Sequence, residues 1–216
     1  MLFRSGAIVA WQLAVLAPDR LRAVAALSVP FTPRPPVAPT ELFRALSGNR
    51  FFYILYFQEP GVADRELGTD ARLSLRKLMT GSGWGGRQEE PDGGLLDRIR
   101  EPDSLPEWLS QDDLDVYVRE FERTGFTGAL DWYRNFDRNW ELTPQLEGAK
   151  VQVPSLFIGG KQDPVLLMTN PEAFVEFLTD HRGNVLVDDA GHWVQQEKPE
   201  EVNAALIEFA KAVRPS

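Results

Sequence analysis

The chain contains no cysteine, which excludes disulfides and thiolate-bound zinc. It has only two histidines, His181 and His192, too few for an imidazole-based metal cluster. No apolar run reaches the ~20 residues that cross a bilayer. Residues 1–5, Met-Leu-Phe-Arg-Ser, lack the apolar centre of a signal peptide. A cytoplasmic location with no membrane partner is therefore expected. Basic residues are outnumbered, 23 against 32 acidic, for a net charge of −9. Such a surface repels phosphate backbones, so nucleic acid is not an expected partner. At 216 residues and 43% hydrophobic content, the chain suits one domain, or one domain with an insertion.

The informative stretch runs from Ser155 to Trp193. A short apolar run, Ser155 to Ile158, is bounded by Gly159 and Gly160, as in a buried strand. Asp163 follows in the next loop. A helical pattern covers about Pro171 to Thr179, with Ala173, Phe174 and Phe177 on one face. A second apolar run, Val185 to Val187, leads into Asp188-Asp189-Ala190-Gly191-His192. Two strands thus each deliver a catalytic-type residue at the carboxyl end, where open α/β sheets bind ligands. A carboxylate that accepts a hydrogen bond from one imidazole nitrogen fixes the tautomer. The other nitrogen is then free to take a proton. The separation of 29 positions from Asp163 to His192 leaves room for a helix and a strand.

Taken in order, Gly6 to Ala17 is apolar nearly all round, which predicts a buried helix. Leu21 to Val29 predicts a buried parallel strand. Pro30 to Thr40 carries five prolines and predicts an extended connector. Helical patterns then dominate: Glu41 to Leu46, Phe51 to Phe57, Ala63 to Met79, Ser110 to about Glu122, and Leu130 to Trp140. Ser110 and Asp113 form a capping-box pair. Gly81 to Gly94 reads as a loop rich in glycine and charge. Strand patterning returns after Gly148. The expected organisation is an α/β core in two pieces, residues 1–32 and 148–216, around an inserted helical lid, residues 33–147.

Two lid segments, FFYILYFQEPG and DWYRNFDRNW, place tyrosines among bulky apolar groups. A phenol in such surroundings needs a hydrogen-bond partner. Two phenols aimed at one substrate oxygen would stabilise a developing alkoxide. Aromatic packing between lid helices explains the same spacing.

YFQEPG with a tyrosine before it, the WYRN segment, the DPVL loop and GHW occur in that order. Together they resemble epoxide hydrolases of the soluble type, which have the α/β-hydrolase fold. The resemblance runs from about Gly6 to the C-terminus. It implies an incomplete parallel α/β-hydrolase core with a helical lid, and a small apolar epoxide as substrate. It implies a reaction through a covalent ester: a carboxylate attacks the epoxide, Tyr53 and Tyr133 hold and protonate its oxygen, and His192, oriented by Asp163, activates water. Pro30, Val165 and Trp193 are expected to line the site, and Tyr56 to have a packing role. No cofactor and no metal are implied. The family's nucleophile position falls on Phe3, which cannot attack, and Ser5 lacks the small neighbours that a nucleophile turn requires. The chain therefore reads as the C-terminal portion of such an enzyme, inactive alone. Its uncovered core edge is expected to favour pairing with another chain, aggregation or partial disorder. Two alternatives remain open: a non-catalytic binding protein derived from a hydrolase, and a haloalkane dehalogenase.

Overall fold

The computed structural model describes residues 5–81 and 93–213. Phe3 and most of the loop expected over Gly81–Gly94 lie outside them. The chain divides into two compact units. One holds the residues up to Arg34 and those from Pro144 onward; the other is Pro35–Thr143.

The first unit opens with helix α1, Ser5–Leu16, followed by strand β1, Val24–Leu27. α1 packs onto the sheet side through Trp11 and Ala14, which cluster with Val24, Ala26 and Phe31. Burial of a large apolar side chain contributes about 1.5–3 kcal/mol. The buried Trp11 also satisfies its indole N–H, donating to the Val29 carbonyl at 3.1 Å. All-round burial of this helix, expected from its composition, is not what the structure shows: Val9, Leu13 and Leu16 on the opposite side are exposed. β1 is shorter than the expected Leu21–Val29. Pro18–Arg20 makes a tight 3-10 turn before it, and Ser28 ends it by turning to φ 64°.

The second unit contains, among the described residues, helices α2 Pro39–Ser47, α3 Tyr53–Tyr56, α4 Val62–Thr69, α5 Ala71–Thr80, α6 Leu95–Arg98, α7 Gln111–Thr124, α8 Thr127–Arg134 and α9 Phe136–Leu142. Two helices expected to be continuous are broken. Ala63–Met79 divides at Asp70, whose extended backbone and side chain cap α5 by accepting from the Leu73 N–H. Leu130–Trp140 divides at Asn135, whose side-chain amide donates to the Asp131 carbonyl at 2.8 Å, a local bond that competes with the helical ladder. The capping box of Ser110 and Asp113 at the start of α7 forms as expected. α2 and α9 are joined where the Asp137 carboxylate accepts from the Thr40 N–H at 2.9 Å and the Thr40 hydroxyl at 2.6 Å.

The chain then returns to the first unit with strand β2, Ser155–Gly160, helix α10, Pro164–Met168, strand β3, His181–Val187, and helices α11, Val194–Glu197, and α12, Pro199–Ala212. Among the described residues the sheet has three strands in the order β1-β2-β3, all parallel, with β2 fully buried between its neighbours. Gly159 and Gly160 do not stop β2; they pair with Leu186 and Val187 of β3. The helix expected over Pro171–Thr179 is absent. The Asn170 side chain accepts from the Glu172 N–H instead, an Asx turn, and only Val175–Phe177 makes a single 3-10 turn. α10 stands nearer to β2. α12, which the sequence analysis did not place, packs Val202 and Phe209 against Leu156, Ile158 and Val187.

Candidate active site

Four of the seven expected site residues meet in two pairs, one in each unit. The first pair is built at the carboxyl ends of β2 and β3. After Gly160 the chain turns through Lys161 and Gln162, and Asp163 becomes the N-cap of α10. Asp163 is 1% exposed. A carboxylate so buried must be hydrogen-bonded. Its Oδ1 accepts from the Val165 N–H at 2.8 Å, and Nδ1 of His192 stands 2.9 Å from Oδ2 and 3.0 Å from Oδ1. Asp163 accepts only, so Nδ1 of a neutral His192 carries the hydrogen and Nε2 keeps its lone pair. That arrangement is able to serve as a general base.

The loop bearing His192 is held at several points. The Gln162 N–H donates to the Ala190 carbonyl at 2.9 Å. The Glu197 carboxylate accepts from the Gly191 and Trp193 N–H groups at 2.7 and 2.8 Å. The buried Ser28 hydroxyl donates to the His192 carbonyl at 2.7 Å. Sequence reasoning missed Ser28 and Glu197. An acid five residues past the histidine is a weak signal for the second, and nothing in the sequence marks the first. The expected lining residues lie in this unit: Pro30 is buried two residues beyond Ser28, Val165 is half-buried, and the Trp193 ring stands edge-on to His192 with centroids 5.3 Å apart.

The second pair is Tyr53, which opens α3, and Tyr133, in α8. Their rings meet edge to face at 5.9 Å and 79°. The buried ring of Phe57 touches both, at 5.5 and 5.2 Å between centroids. The segments are tied together by polar groups as well. The Gln58 amide donates to the Ile54 carbonyl at 2.8 Å and to the Tyr133 carbonyl at 3.2 Å. Arg134 donates from Nε to the Phe57 carbonyl at 2.9 Å and forms an ion pair with Asp64. Burial, and after it the nearby Tyr53, hold the Tyr133 phenol well above the usual tyrosine range. It therefore stays a neutral donor. Tyr56 is committed elsewhere: its hydroxyl donates to Glu66 Oε2 at 2.9 Å, and Glu66 also accepts from the Leu95 and Leu96 N–H groups at 3.2 and 2.8 Å. Burial and the Glu66 carboxylate push the Tyr56 phenol up.

Among the described residues no group of three or more His, Asp or Glu side chains could hold a metal ion, and no helix is long and apolar enough to cross a membrane.

Comparison with known proteins gives a consistent result. The chain is 52% identical over 212 residues to Epoxide hydrolase A of Mycobacterium tuberculosis, covering 94% of this chain and 66% of that protein. It is 34% identical over 221 residues to Epoxide hydrolase 1 of Siraitia grosvenorii, covering 95% of this chain and 67% of that one. Among solved structures it superposes on Epoxide Hydrolase A from Mycobacterium thermoresistibile with a TM-score of 0.89 at 51% identity, covering 97% of this chain and 68% of that one. The chain spans about two thirds of the length of these three relatives. No family model matches it.

Proposed function

The chain belongs to the epoxide hydrolases of the α/β-hydrolase fold, and on that premise we propose that it carries the oxygen-binding and water-activating parts of a hydrolysis that opens an epoxide to a vicinal diol. The observation that carries the reading is the hydrogen bond from His192 Nδ1 to the buried Asp163 carboxylate. In this reading the helical unit is the lid and the location is cytoplasmic. Tyr53 and Tyr133 donate to the epoxide oxygen while a carboxylate attacks one ring carbon. The C–O bond breaks, one phenol gives its proton to the alkoxide, and an ester forms. His192 Nε2 then takes a proton from water, the hydroxide attacks the ester carbonyl, and the ester C–O bond breaks; the proton of the acid so formed passes to the departing alkoxide to complete the diol, and the imidazolium proton returns to the phenolate. Asp163 stabilises the imidazolium through Nδ1. Pro30, Val165 and Trp193 line the apolar site.

The attacking carboxylate maps onto Phe3, outside the described residues. The chain as given then binds a small apolar epoxide without turning it over. That is also what a non-catalytic binding protein of hydrolase descent would do. A chimera distinguishes the two: the upstream part of the Mycobacterium tuberculosis relative is joined to this chain, with aspartate at position 3. Diol formation from an aryl epoxide such as styrene oxide, slowed by Tyr53→Phe, supports hydrolysis. A folded chimera that gives no diol, or diol formation that Tyr53→Phe leaves unchanged, overturns it. Halide release from a haloalkane without diol formation would place the chemistry with the dehalogenases, a reading the phenol pair disfavours because a departing halide needs no proton.

A further inference from the structure

We propose that Glu197 is a positioning residue for His192, gripping the peptide groups on either side of it and so setting the angle at which the imidazole presents Nε2. The inference rests on the reading of His192 as the base. Residues 188–193 lie outside the strands and helices of the fold; backbone bonds reach the Ala190 and Trp193 carbonyls on either side of His192, and the rest of its hold comes from side chains. Glu197 closes the four-residue α11, and its side chain folds back along the chain. Oε2 accepts from the Gly191 N–H at 2.7 Å and Oε1 from the Trp193 N–H at 2.8 Å. These are short, charge-assisted bonds, one for each carboxylate oxygen. His192 is the residue between them.

The surroundings are shaped to admit that carboxylate. A side chain added at Gly191 would come within 3.3 Å of Oε1, closer than most such contacts. From the other side the Ser28 hydroxyl donates to the His192 carbonyl at 2.7 Å. Ser28 is fully buried and sits at φ 64°, a left-handed conformation that is strained for a non-glycine residue. Its own N–H is spent on the Ile158 carbonyl at 2.8 Å, so the strained turn at the end of β1 is anchored to β2 and aims the hydroxyl at the histidine. The peptide N–H groups flanking His192 and its carbonyl are thus held by side chains from two other places in the chain. The ring can only pivot about its own side-chain bonds, and Asp163 stops that pivot.

The test reads the imidazole directly. In the protein as it exists, the His192 Nδ1 proton bonded to Asp163 is expected to give a low-field resonance in NMR. Glu197→Gln keeps one acceptor oxygen and turns an NH2 donor toward the other peptide N–H. The resonance is then expected to move upfield or broaden away, and Glu197→Asp, which keeps both oxygens, to retain it in part. Ser28→Ala is expected to shift it in the same direction. If Glu197→Gln lowers only the melting temperature and leaves the resonance in place, Glu197 is a cap for α11 and the inference is overturned. Should Glu197→Gln not fold, an unmoved resonance in both Glu197→Asp and Ser28→Ala overturns it equally. No substrate is involved, so an inactive chimera defeats the hydrolase reading and leaves this test standing. In an active chimera, Glu197→Gln should lower kcat on the order of 100-fold, the cost of a small misplacement of a reacting group, and KM should fall with it, because only the ester hydrolysis that follows covalent capture is slowed.

Discussion

Asp163 is sealed from solvent, whereas His192, which it holds through Nδ1, keeps a quarter of its side chain exposed. The contact is dry on the carboxylate side, and in the proposed reaction the partly exposed imidazole is where a proton passes to and from water. Asp163→Asn should separate the two roles. An asparagine replaces one carboxylate oxygen with an NH2 donor and favours the wrong tautomer. In the chimera with aspartate at position 3, ester hydrolysis should slow on the order of 10⁴-fold, as it does when the orienting carboxylate of a hydrolytic triad is made an amide. Ester formation should be spared. Intact-mass measurement should then show protein carrying one added epoxide. Normal turnover without that adduct would mean that Asp163 does not orient the base.

The phenol pair gives a second prediction. Tyr53→Phe and Tyr133→Phe keep both rings and their edge-to-face packing and remove one hydroxyl each. Epoxide opening should fall about 10²- to 10⁴-fold, the range for loss of a positioned acid. The Tyr133 phenol is raised by burial and then by Tyr53. A raised phenol holds its proton, so its stabilising contribution is complete below the unfolded value of about 10 and is lost as pH climbs through the folded value. Ultraviolet titration should find Tyr133 ionising above ordinary tyrosine, and at a lower pH in Tyr53→Phe than in the parent. Ionisation of Tyr133 in the ordinary range would remove the reason to regard it as a protected neutral donor.

Much of this was readable from residue order because the decisive signals were local. β2 and β3 announced themselves as short apolar runs, and the residues just beyond them, Asp163 and His192, then had a predictable place. The capping box at Ser110 was equally local. What escaped reading depended on contacts across the sequence. Gly160 looks like a strand stop, yet its missing side chain serves the backbone of Ala190 and Gly191, thirty residues on. Asp70 and Asn135 break helices whose apolar spacing is uninterrupted, because one polar side chain outweighs periodicity at a single turn. Ser28 is one serine in an apolar run, and only the fold shows that its hydroxyl meets His192. The exposed side of α1 was missed for the opposite reason: composition reports apolarity and says nothing of which faces are packed.

Acid stability should depend on Asp64. This carboxylate accepts from Arg134, Thr127 and the Gly61 N–H, and the Arg134 guanidinium foremost holds it well below the usual carboxylate range. Both side chains are largely buried, 13% exposed for Arg134 and 18% for Asp64. A depressed folded pKa contributes stability that is fully present above the unfolded value near 3.9 and is lost as pH falls below it toward the folded value. Asp64→Asn should cost about 1–3 kcal/mol near neutrality, tempered because Arg134 keeps Asp131 and the Phe57 carbonyl. Its melting temperature should also fall less steeply than the parent's between about pH 4 and pH 2. Parallel acid limbs for the two proteins would show that the pair contributes nothing through protonation. Because Arg134 adjoins Tyr133 and binds the segment after Tyr53, the variant should weaken the phenol pair along with the fold.

The last prediction contrasts two adjacent glycines. A Cβ at Gly160 would lie 2.2 Å from the Ala190 carbonyl oxygen and 2.3 Å from that of Gly191. Both are backbone atoms of the loop that carries His192, so Gly160→Ala can be accommodated only by moving that loop. At Gly159 the nearest atoms are the Phe157 ring at 2.9 Å and the Leu166 side chain at 3.5 Å, groups that can yield by small rotations. Gly160→Ala should therefore cost about 1–3 kcal/mol as an overpacked site, a fall of roughly 2–12 °C in melting temperature for a chain of this size. Gly159→Ala should cost less, because its neighbours are side chains that can move; the roughly 0.4–1 kcal/mol by which alanine narrows the unfolded ensemble favours both variants equally. Gly160→Ala should further weaken the His192 Nδ1 bond to Asp163, seen as loss of its low-field proton resonance, while Gly159→Ala keeps it. Equal stability in the two variants, with that resonance intact in both, would show that the loop has room to spare and that the glycine at the end of β2 does not set the distance between acid and base.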